Sequence, residues 1–214
     1  MTKNNKIQKP KFIDDLEEIC DISEEIIEAD KIQNKIIENI VIDSMISRGT
    51  TIDSCIFENV VFENCSLRNV DLLDTKFENC DLSNTDLGDS SIHRVEFVNC
   101  KLLGAKLDEC NIKDVAFRDS LGKYINLSYS KLKDVNIDEC SFIEGIFQQV
   151  KLDKVSFNNT DLTNGYFNKT SLNKIDLTTC EIAGIDIEIS DLSGAIVNSI
   201  QALDLTRLMN IVVK

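Results

Sequence analysis

The sequence predicts an all-β solenoid in which the chain winds into coils of twenty residues, each built from four five-residue units. Two observations carry this prediction. Of the 32 residues at every fifth position from Ile42 to Val197, thirty are Leu, Ile, Phe or Val. The eight cysteines share the spacing, since every one lies at a position divisible by five. A period of five fits neither an α-helix nor a simple strand, and fixed repetition is typical of a solenoid.

The composition of the five-residue unit predicts which side chains face the core. A small or β-branched side chain lies two residues before each large apolar centre, as at Cys80, Thr85 and Ala105. The other three positions are mainly polar, so we expect the chain to turn a corner once per unit with two side chains inward. Two units lack the apolar centre, at Ser47 and Gly122, and we interpret both as local bulges because the spacing resumes at once.

The cysteines fit the small inward position better than they fit a metal site or a disulfide framework. None forms the closely spaced pair that is typical of structural zinc, and the chain has a single histidine. A free cysteine behaves as a small buried apolar residue. The sequence therefore predicts buried, reduced thiols.

Aromatic residues indicate the length of one coil. Phenylalanines recur at intervals of twenty, and asparagines repeat the interval at a corner: Phe57, Phe77, Phe97, Phe117 and Phe157, and Asn59, Asn79, Asn99 and Asn159. These residues predict an aromatic ladder inside the stack and an asparagine ladder at a turn. Thirty-two units at four per coil give about eight coils, or a rod of roughly 38 Å at ~4.8 Å per strand.

Several units share one motif: a small residue, then Asp, then Leu, then two polar or small residues. The closest matches are CDLSN (80–84), TDLGD (85–89), TDLTN (160–164) and SDLSG (190–194). In these units the sequence resembles the pentapeptide-repeat family, over about residues 40 to 197. The resemblance implies a right-handed, parallel, quadrilateral β-helix, and the residues on either side of the repeat predict short helical caps at its N-terminal and C-terminal ends.

Residues 1–39 are predicted to form an N-terminal tail, a capping helix and a first partial coil. Pro10 is followed by apolar residues at helical spacing, from Phe12 and Ile13 to Leu16 and Ile19. Later in this segment the five-residue spacing begins, but Lys35 occupies an inward position. We interpret that stretch as either a frayed first coil or a capping strand.

Residues 198–214 are predicted to form a C-terminal cap or a dimerisation segment. The apolar candidates for a dimer seam are Ile200, Leu203, Leu208, Met209 and Ile211. A helix folded over the last coil would explain them, because solenoid ends need covering. The resemblance favours a homodimer, since relatives in this family associate tail to tail.

Composition excludes several classes of function. Acids outnumber bases 37 to 23, giving a net charge of -14, whereas binding to nucleic-acid phosphates needs positive charge. No apolar run is long enough for a membrane helix, and the N-terminus lacks a secretory apolar region. No histidine-based dyad, phosphate loop or ligand cluster is apparent. We therefore expect a cytoplasmic protein that is not an enzyme, holds no cofactor and contacts neither nucleic acid nor membrane.

Assigning each unit to one of four sides of the coil gathers acidic residues on two adjacent sides, the first (residues 40–44 and equivalents) and the fourth (55–59 and equivalents). The candidate acidic interaction edge comprises Glu58, Glu63, Glu78, Asp81, Glu96, Asp119, Asp138, Glu139, Glu144, Asp161, Asp176 and Glu181. The third side instead carries a mixed basic stripe, with Arg94, Lys113, Lys131, Lys133, Lys151, Lys154 and Lys174.

Two hypotheses for function remain. One is a rigid, acidic module for binding a protein partner. The other comes from the resemblance, because some family members imitate DNA toward DNA gyrase and topoisomerase IV and protect these enzymes from quinolones. The repeat runs without an inserted loop, as in loop-free members of that branch.

Overall fold

The computed structural model describes residues 6–19, 31–46 and 49–211 of the 214. The described strands are β1 (Glu17–Ile19), β2 (Lys31–Gln33), β3 (Lys35–Glu38), β4 (Val41–Asp43), β5 (Thr51–Asp53), β6 (Ile56–Glu58), β7 (Val61–Glu63), β8 (Asp71–Glu78), β9 (Ser91–Val98), β10 (Asn111–Arg118), β11 (Lys131–Asp138) and β12 (Lys151–Asn158). A 3₁₀-helix (Ile189–Leu192), α1 (Ser199–Leu205) and a second 3₁₀-helix (Thr206–Met209) follow.

The strands stack in parallel, each pairing with the residues one coil later in the chain. From β2 onward, register partners differ by twenty residues, as in Leu72 opposite Ile92. One column, with one residue per coil, runs through Val41, Val61, Asp81, Lys101, Leu121, Ser141, Asp161 and Glu181. The parallel quadrilateral β-helix predicted from the sequence is confirmed.

The four sides of a coil are of two kinds. The third and fourth sides form one long strand in each coil from β8 to β12, whereas the first and second sides of these coils make single bridges followed by turns. In such a turn the Thr85 N–H donates to the Leu82 carbonyl oxygen at 3.2 Å. Corner residues adopt left-handed backbone, with φ of 55° at Asn79 and 60° at Asn84. Asn and Asp tolerate this region better than most residues, which explains their recurrence at corners.

Side-chain ladders follow from the twenty-residue register. The rings of Phe77 and Phe97 stack with centroids 5.0 Å apart, and those of Phe97 and Phe117 at 4.9 Å. At the corner the Asn99 side-chain amide donates to Asn79 Oδ1 at 2.7 Å. Both predicted ladders are therefore present.

The cysteines described by the structure occupy the small inward position. Seven are buried free thiols, and Cys20 lies outside the described residues. Desolvation raises the pKa of Cys55 to about 11 and the pKa of Cys110 and Cys140 to about 12. These thiols are protonated at neutral pH and act as packing groups.

The prediction of a bulge at Gly122 is wrong. Its N–H donates to the Ser141 carbonyl oxygen at 2.8 Å, so residue 122 keeps its place in the regular ladder. A Cβ added there would lie 2.7 Å from the ring of Phe142, which therefore occupies the space that a side chain at 122 would use. The bulge expected at Ser47 lies outside the described residues.

The prediction of an N-terminal capping helix is wrong over the described residues 10–19. Residues 6–16 carry no regular element, and β1 pairs with β3, placing Glu17 opposite Lys35. The open edge of the first coil explains the difference. The main-chain N–H and C=O groups at the edge of β3 need hydrogen-bond partners. A strand supplies these partners, whereas a helix packed over the edge would not. Ile32 and Ile37 are fully buried, so β2 and β3 already belong to the stack.

The C-terminal helical cap is confirmed. The Asn198 side chain accepts the N–H groups of Ile200 and Gln201 and begins α1 with a capping box. Gln201 is buried, and its Nε2 donates to the carbonyl oxygens of Leu177 and Cys180, both at 2.8 Å. The helix thus covers main-chain acceptors at the last coil. Among the described residues, no helix has the length and apolar character to cross a bilayer.

The aromatic ladder should dominate stability in the middle of the stack. Phe97 is fully buried between two parallel rings. We expect Phe97→Ala to lower the free energy of unfolding by about 3–5 kcal/mol, because it leaves a cavity that rigid coils cannot close. Urea denaturation followed by circular dichroism measures the loss. Leu103→Ala, at a 40% exposed position on a nearby coil, is the control and should cost less than about 1 kcal/mol. Equal losses would contradict the expectation.

Candidate functional site

The predicted acidic edge lies on two adjacent sides of the rod, and none of its twelve side chains is buried. Its most regular part is at the N-terminal end. Glu58 and Glu78 are stacked in register, and Glu38 of β3 extends the column by one coil. The sequence analysis missed Glu38 because the repeat was started at residue 40, although the twenty-residue interval from Glu58 would have found it.

The structure divides this edge into two patches. Val98 and Arg118 continue the Glu38–Glu58–Glu78 column in β9 and β10, and carboxylates return only at Asp138. We define the N-terminal acidic patch as Glu38, Glu58, Glu63, Glu78 and Asp81. The C-terminal acidic patch is Asp138, Glu139, Glu144, Asp161, Asp176 and Glu181.

Basic residues partly neutralise the edge, both between the patches and within them, where Lys76 Nζ lies 2.5 Å from Glu78 Oε2. Arg118 Nη1 lies 3.1 Å from Glu96 Oε1, and this carboxylate is only 12% exposed. Lys101 and Lys123 approach carboxylates on the first side, Lys101 at 3.5 Å from Asp81 and Lys123 at 3.3 Å from a glutamate one coil later. Charge on the edge is therefore concentrated toward its two ends.

Local hydrogen bonds lower the pKa of two carboxyl groups at the N-terminal end of the edge, those of Asp81 and Asp43. Partial burial alone would raise the pKa of Asp81, but hydrogen bonds from Ser83 and the charge of Lys101 outweigh it and lower that pKa. Hydrogen bonds from Asn64 and Ser44 lower the pKa of Asp43 beside the N-terminal patch. These carboxylates remain charged well below neutral pH.

A second cluster, at the corner between the third and fourth sides, consists of Asp74, Arg94 and Asp114 stacked at intervals of twenty. All three have left-handed backbone, with φ between 48° and 54°. Arg94 donates two hydrogen bonds to the Asp74 carboxylate, both at 2.6 Å. His93 Nε2 lies 3.5 Å from Asp114 Oδ2. Asp74 and Asp114 are only 6% and 4% exposed.

Main-chain amides of the N-terminal arm (residues 6–16) contact this corner. The Lys11 N–H donates to Asp74 Oδ1 and the Gln8 N–H to Asp114 Oδ1, each at 2.9 Å. Sequence reasoning placed Arg94 in a mixed stripe but missed the arm. The twenty-residue spacing could have revealed the Asp–Arg–Asp column, whereas nothing in the repeat indicates what covers it.

The candidate dimer seam is largely exposed at the C-terminal end. Ile200 is 78% exposed, and Leu203, Met209 and Ile211 are each about half exposed. Leu208 differs, because it is partly buried and packs against the core. The surface therefore consists of four apolar side chains on and just after α1.

Family comparisons agree with the repeat seen in the coils. A family model described as pentapeptide repeat region matches residues 90–145, and one described as pentapeptide repeats (8 copies) matches 146–178. A model described as SV2A/B/C luminal domain matches residues 30–107. The chain is a pentapeptide-repeat protein.

Solved structures of other proteins are similar to this chain. A trypsin-treated form of QnrB1, described as a plasmid-mediated fluoroquinolone resistance protein, is 24% identical with a TM-score of 0.50, covering 86% of this chain and 95% of its own. HetL, from the cyanobacterium Nostoc sp. strain PCC 7120, is 15% identical with a TM-score of 0.32, covering 78% and 92%. No curated protein matches this pentapeptide-repeat protein in sequence.

Titration of the single histidine tests the electrostatics of the Asp74–Asp114 corner. Partial burial and the charges of Arg94 and Lys113 lower the pKa of His93 below 6.5, and Asp114 offsets only part of this effect. We therefore expect an NMR titration of the ring protons to give a midpoint below 6.5 in the folded protein.

The same shift predicts a pH dependence of stability. A histidine whose pKa is lowered by folding contributes stability above its unfolded pKa, and this contribution is lost as pH falls through the folded value. His93→Gln should remove this part of the decline in melting temperature below pH 6.5. A midpoint at or above 6.5 would contradict both expectations.

Proposed function

We propose that this pentapeptide-repeat protein is a non-enzymatic interaction module that binds a protein partner through its acidic edge. The supporting observation is the placement of two solvent-accessible acidic patches on one rigid edge. Main-chain hydrogen bonds to neighbouring coils fix the backbone beneath each carboxylate. A fixed field of one sign steers and orients a partner with a basic surface.

The partner class can be tested with two variants of equal charge. The edge variant is E58Q/E78Q/D138N/E139Q, and the control variant D71N/E109Q/D153N/D186N neutralises four acids on the other two sides. Immobilised protein is used to capture partners from a bacterial lysate at low and high salt. We expect a partner retained by wild type and control and lost by the edge variant. Identical capture by all three proteins would overturn the proposal.

A second candidate function is imitation of DNA toward a type II topoisomerase, DNA gyrase or topoisomerase IV, with protection against quinolones. It is supported by the fold shared with QnrB1, whose description names fluoroquinolone resistance. Within the described residues the twenty-residue register continues to the pairing of Asp176 with Ile196, which suits a straight, loop-free rod.

Charge density limits how such imitation would work. The Glu38–Glu58–Glu78 column offers one carboxylate per coil, or about one per 4.8 Å. Duplex DNA presents one charge per ~1.7 Å. Binding to a DNA saddle would therefore depend on the shape of the rod and on steering as much as on matched charge.

DNA supercoiling by purified bacterial gyrase separates the two candidates. If the protein imitates DNA, it should inhibit supercoiling or relieve quinolone inhibition at micromolar concentration, and the effect should weaken as salt rises. The edge variant should lose the effect and the control variant should keep it. No effect of wild-type protein would reject DNA imitation but leave the capture experiment to decide the broader proposal.

We further propose that the protein is a cytoplasmic homodimer joined through its C-terminal seam. The exposed apolar side chains after Asn198 support the dimer, and buried free thiols suit a reducing compartment.

A charge placed in the seam tests the dimer. Leu203→Asp should convert a dimer to a monomer in sedimentation equilibrium, because it buries a charge in the seam. Leu103→Asp adds the same charge on a middle coil, away from the C-terminal end, and should leave the dimer intact. A monomeric wild type at tens of micromolar would contradict this.

A further inference from the structure

We propose that the Asp74–Arg94–Asp114 corner is a docking track for an extended, lysine-rich polypeptide segment, and that the chain's own residues 6–11 occupy it in cis. The track is distinct from the acidic edge. It recognises main-chain N–H groups through two buried carboxylates, and the arm already bound there shows the kind of ligand that fits.

The spacing of the carboxylates matches an extended chain. Asp74 and Asp114 lie two coils apart, a distance of about 9.6 Å along the rod. The arm bridges them with two amides three residues apart, those of Gln8 and Lys11. Three residues of polyproline II chain rise about 9.3 Å and complete one turn, so every third amide faces the same side. Pro10 favours this extended conformation in the arm.

Backbone conformation and hydrogen bonds fix the positions of the carboxylates at this corner. Both belong to left-handed corner residues, and Arg94 fixes Asp74 through paired hydrogen bonds. Burial would raise the pKa of Asp74, but Arg94 and the Lys11 amide outweigh burial and lower it. A buried ionised acceptor needs donors, and here main-chain amides of the arm supply them.

Asp114 retains unused acceptor capacity. Its Oδ2 is buried and has no hydrogen-bond partner among the described residues. The nearest cationic or titratable nitrogens are His93 Nε2 at 3.5 Å and Lys113 Nζ at 3.9 Å. A buried oxygen without a hydrogen bond is uncommon in native proteins, so this position can accept one more donor from a ligand.

The composition of the arm indicates the class of segment. Residues 1–11 contain four lysines and no acid, in a chain whose net charge is -14. The contacts use main-chain amides at positions 8 and 11, so they do not depend on the side chains there. A lysine-rich extended segment of a partner therefore presents the same donors and the same charge. Such a segment must displace the arm, which makes the arm a competitor for the track.

Hydrogen exchange in the full-length protein tests cis occupancy. The amides of Gln8 and Lys11 should exchange about ten- to a hundredfold more slowly than that of Lys9, which has no acceptor among the described residues. In D74N/D114N the protection should fall by at least about tenfold. D134N/D153N changes two acids on the same side without touching the arm and should preserve it. Equal exchange at all three amides in the wild type would overturn the proposal.

Binding in trans tests the track itself, using a fluorescent peptide of residues 1–13 and full-length proteins. Q8P/K11P removes the two donating N–H groups of the arm, whereas K9P adds a proline without removing a bonded N–H. Fluorescence anisotropy should show the peptide binding Q8P/K11P at least about tenfold more tightly than wild type or K9P. Adding D74N/D114N to Q8P/K11P should remove this gain.

Non-specific attraction is tested separately. A peptide with Glu in place of its lysines should not bind, and the E58Q/E78Q/D138N/E139Q substitutions, placed in the Q8P/K11P background, should leave binding of the native peptide within about twofold. Circular dichroism melts confirm that each variant is folded. Binding that is equal for wild type and Q8P/K11P, or that follows the edge substitutions and not Asp74 and Asp114, would overturn the proposal.

Discussion

Main-chain hydrogen bonding between adjacent coils, in a register of twenty residues, is the constraint on which the rest of this protein depends. Amides such as those of Asn79 and Asn99 donate to carbonyl oxygens one coil away, at Val98 and Arg118. The register fixes which side chains are neighbours, inside the stack and on its surface. A residue repeated every twenty positions therefore becomes a straight column about 4.8 Å per step.

Surface columns turn the linear sequence into fixed arrays of charge. The Glu38–Glu58–Glu78 column places like charges in register, which is unfavourable for stability and is moderated here by solvent exposure. The Asp74–Arg94–Asp114 column alternates in sign, and its carboxylates are buried with partners. The first arrangement suits long-range attraction of a basic surface. The second suits short-range recognition of a peptide backbone.

The two ends of the stack solve the same edge problem differently. At the N-terminal end, β1 adds a further strand and its Glu17 carboxylate pairs with Lys35 at 2.8 Å. At the C-terminal end, α1 covers the last coil and Gln201 bonds to carbonyl oxygens beneath it. The N-terminal arm precedes β1 and lies along the rod, where it contacts Asp74 and Asp114. At the other end, α1 presents apolar side chains to solvent. The proposed peptide track and dimer seam thus originate in the two capping devices.

The fold class, the inward positions, the length of a coil and the phenylalanine and asparagine ladders could all be predicted from the sequence, because each follows from a period of five or twenty. The same period places the acidic residues on two adjacent sides. Other features depend on contacts between coils that no period encodes. Phe142 occupies the space beside Gly122, and residues 17–19 follow an open strand edge despite their helical spacing. The arm contacts join residues 63 and 106 positions apart. A local pattern cannot specify such contacts, because they arise only when the stacked coils bring the corner carboxylates and the arm together.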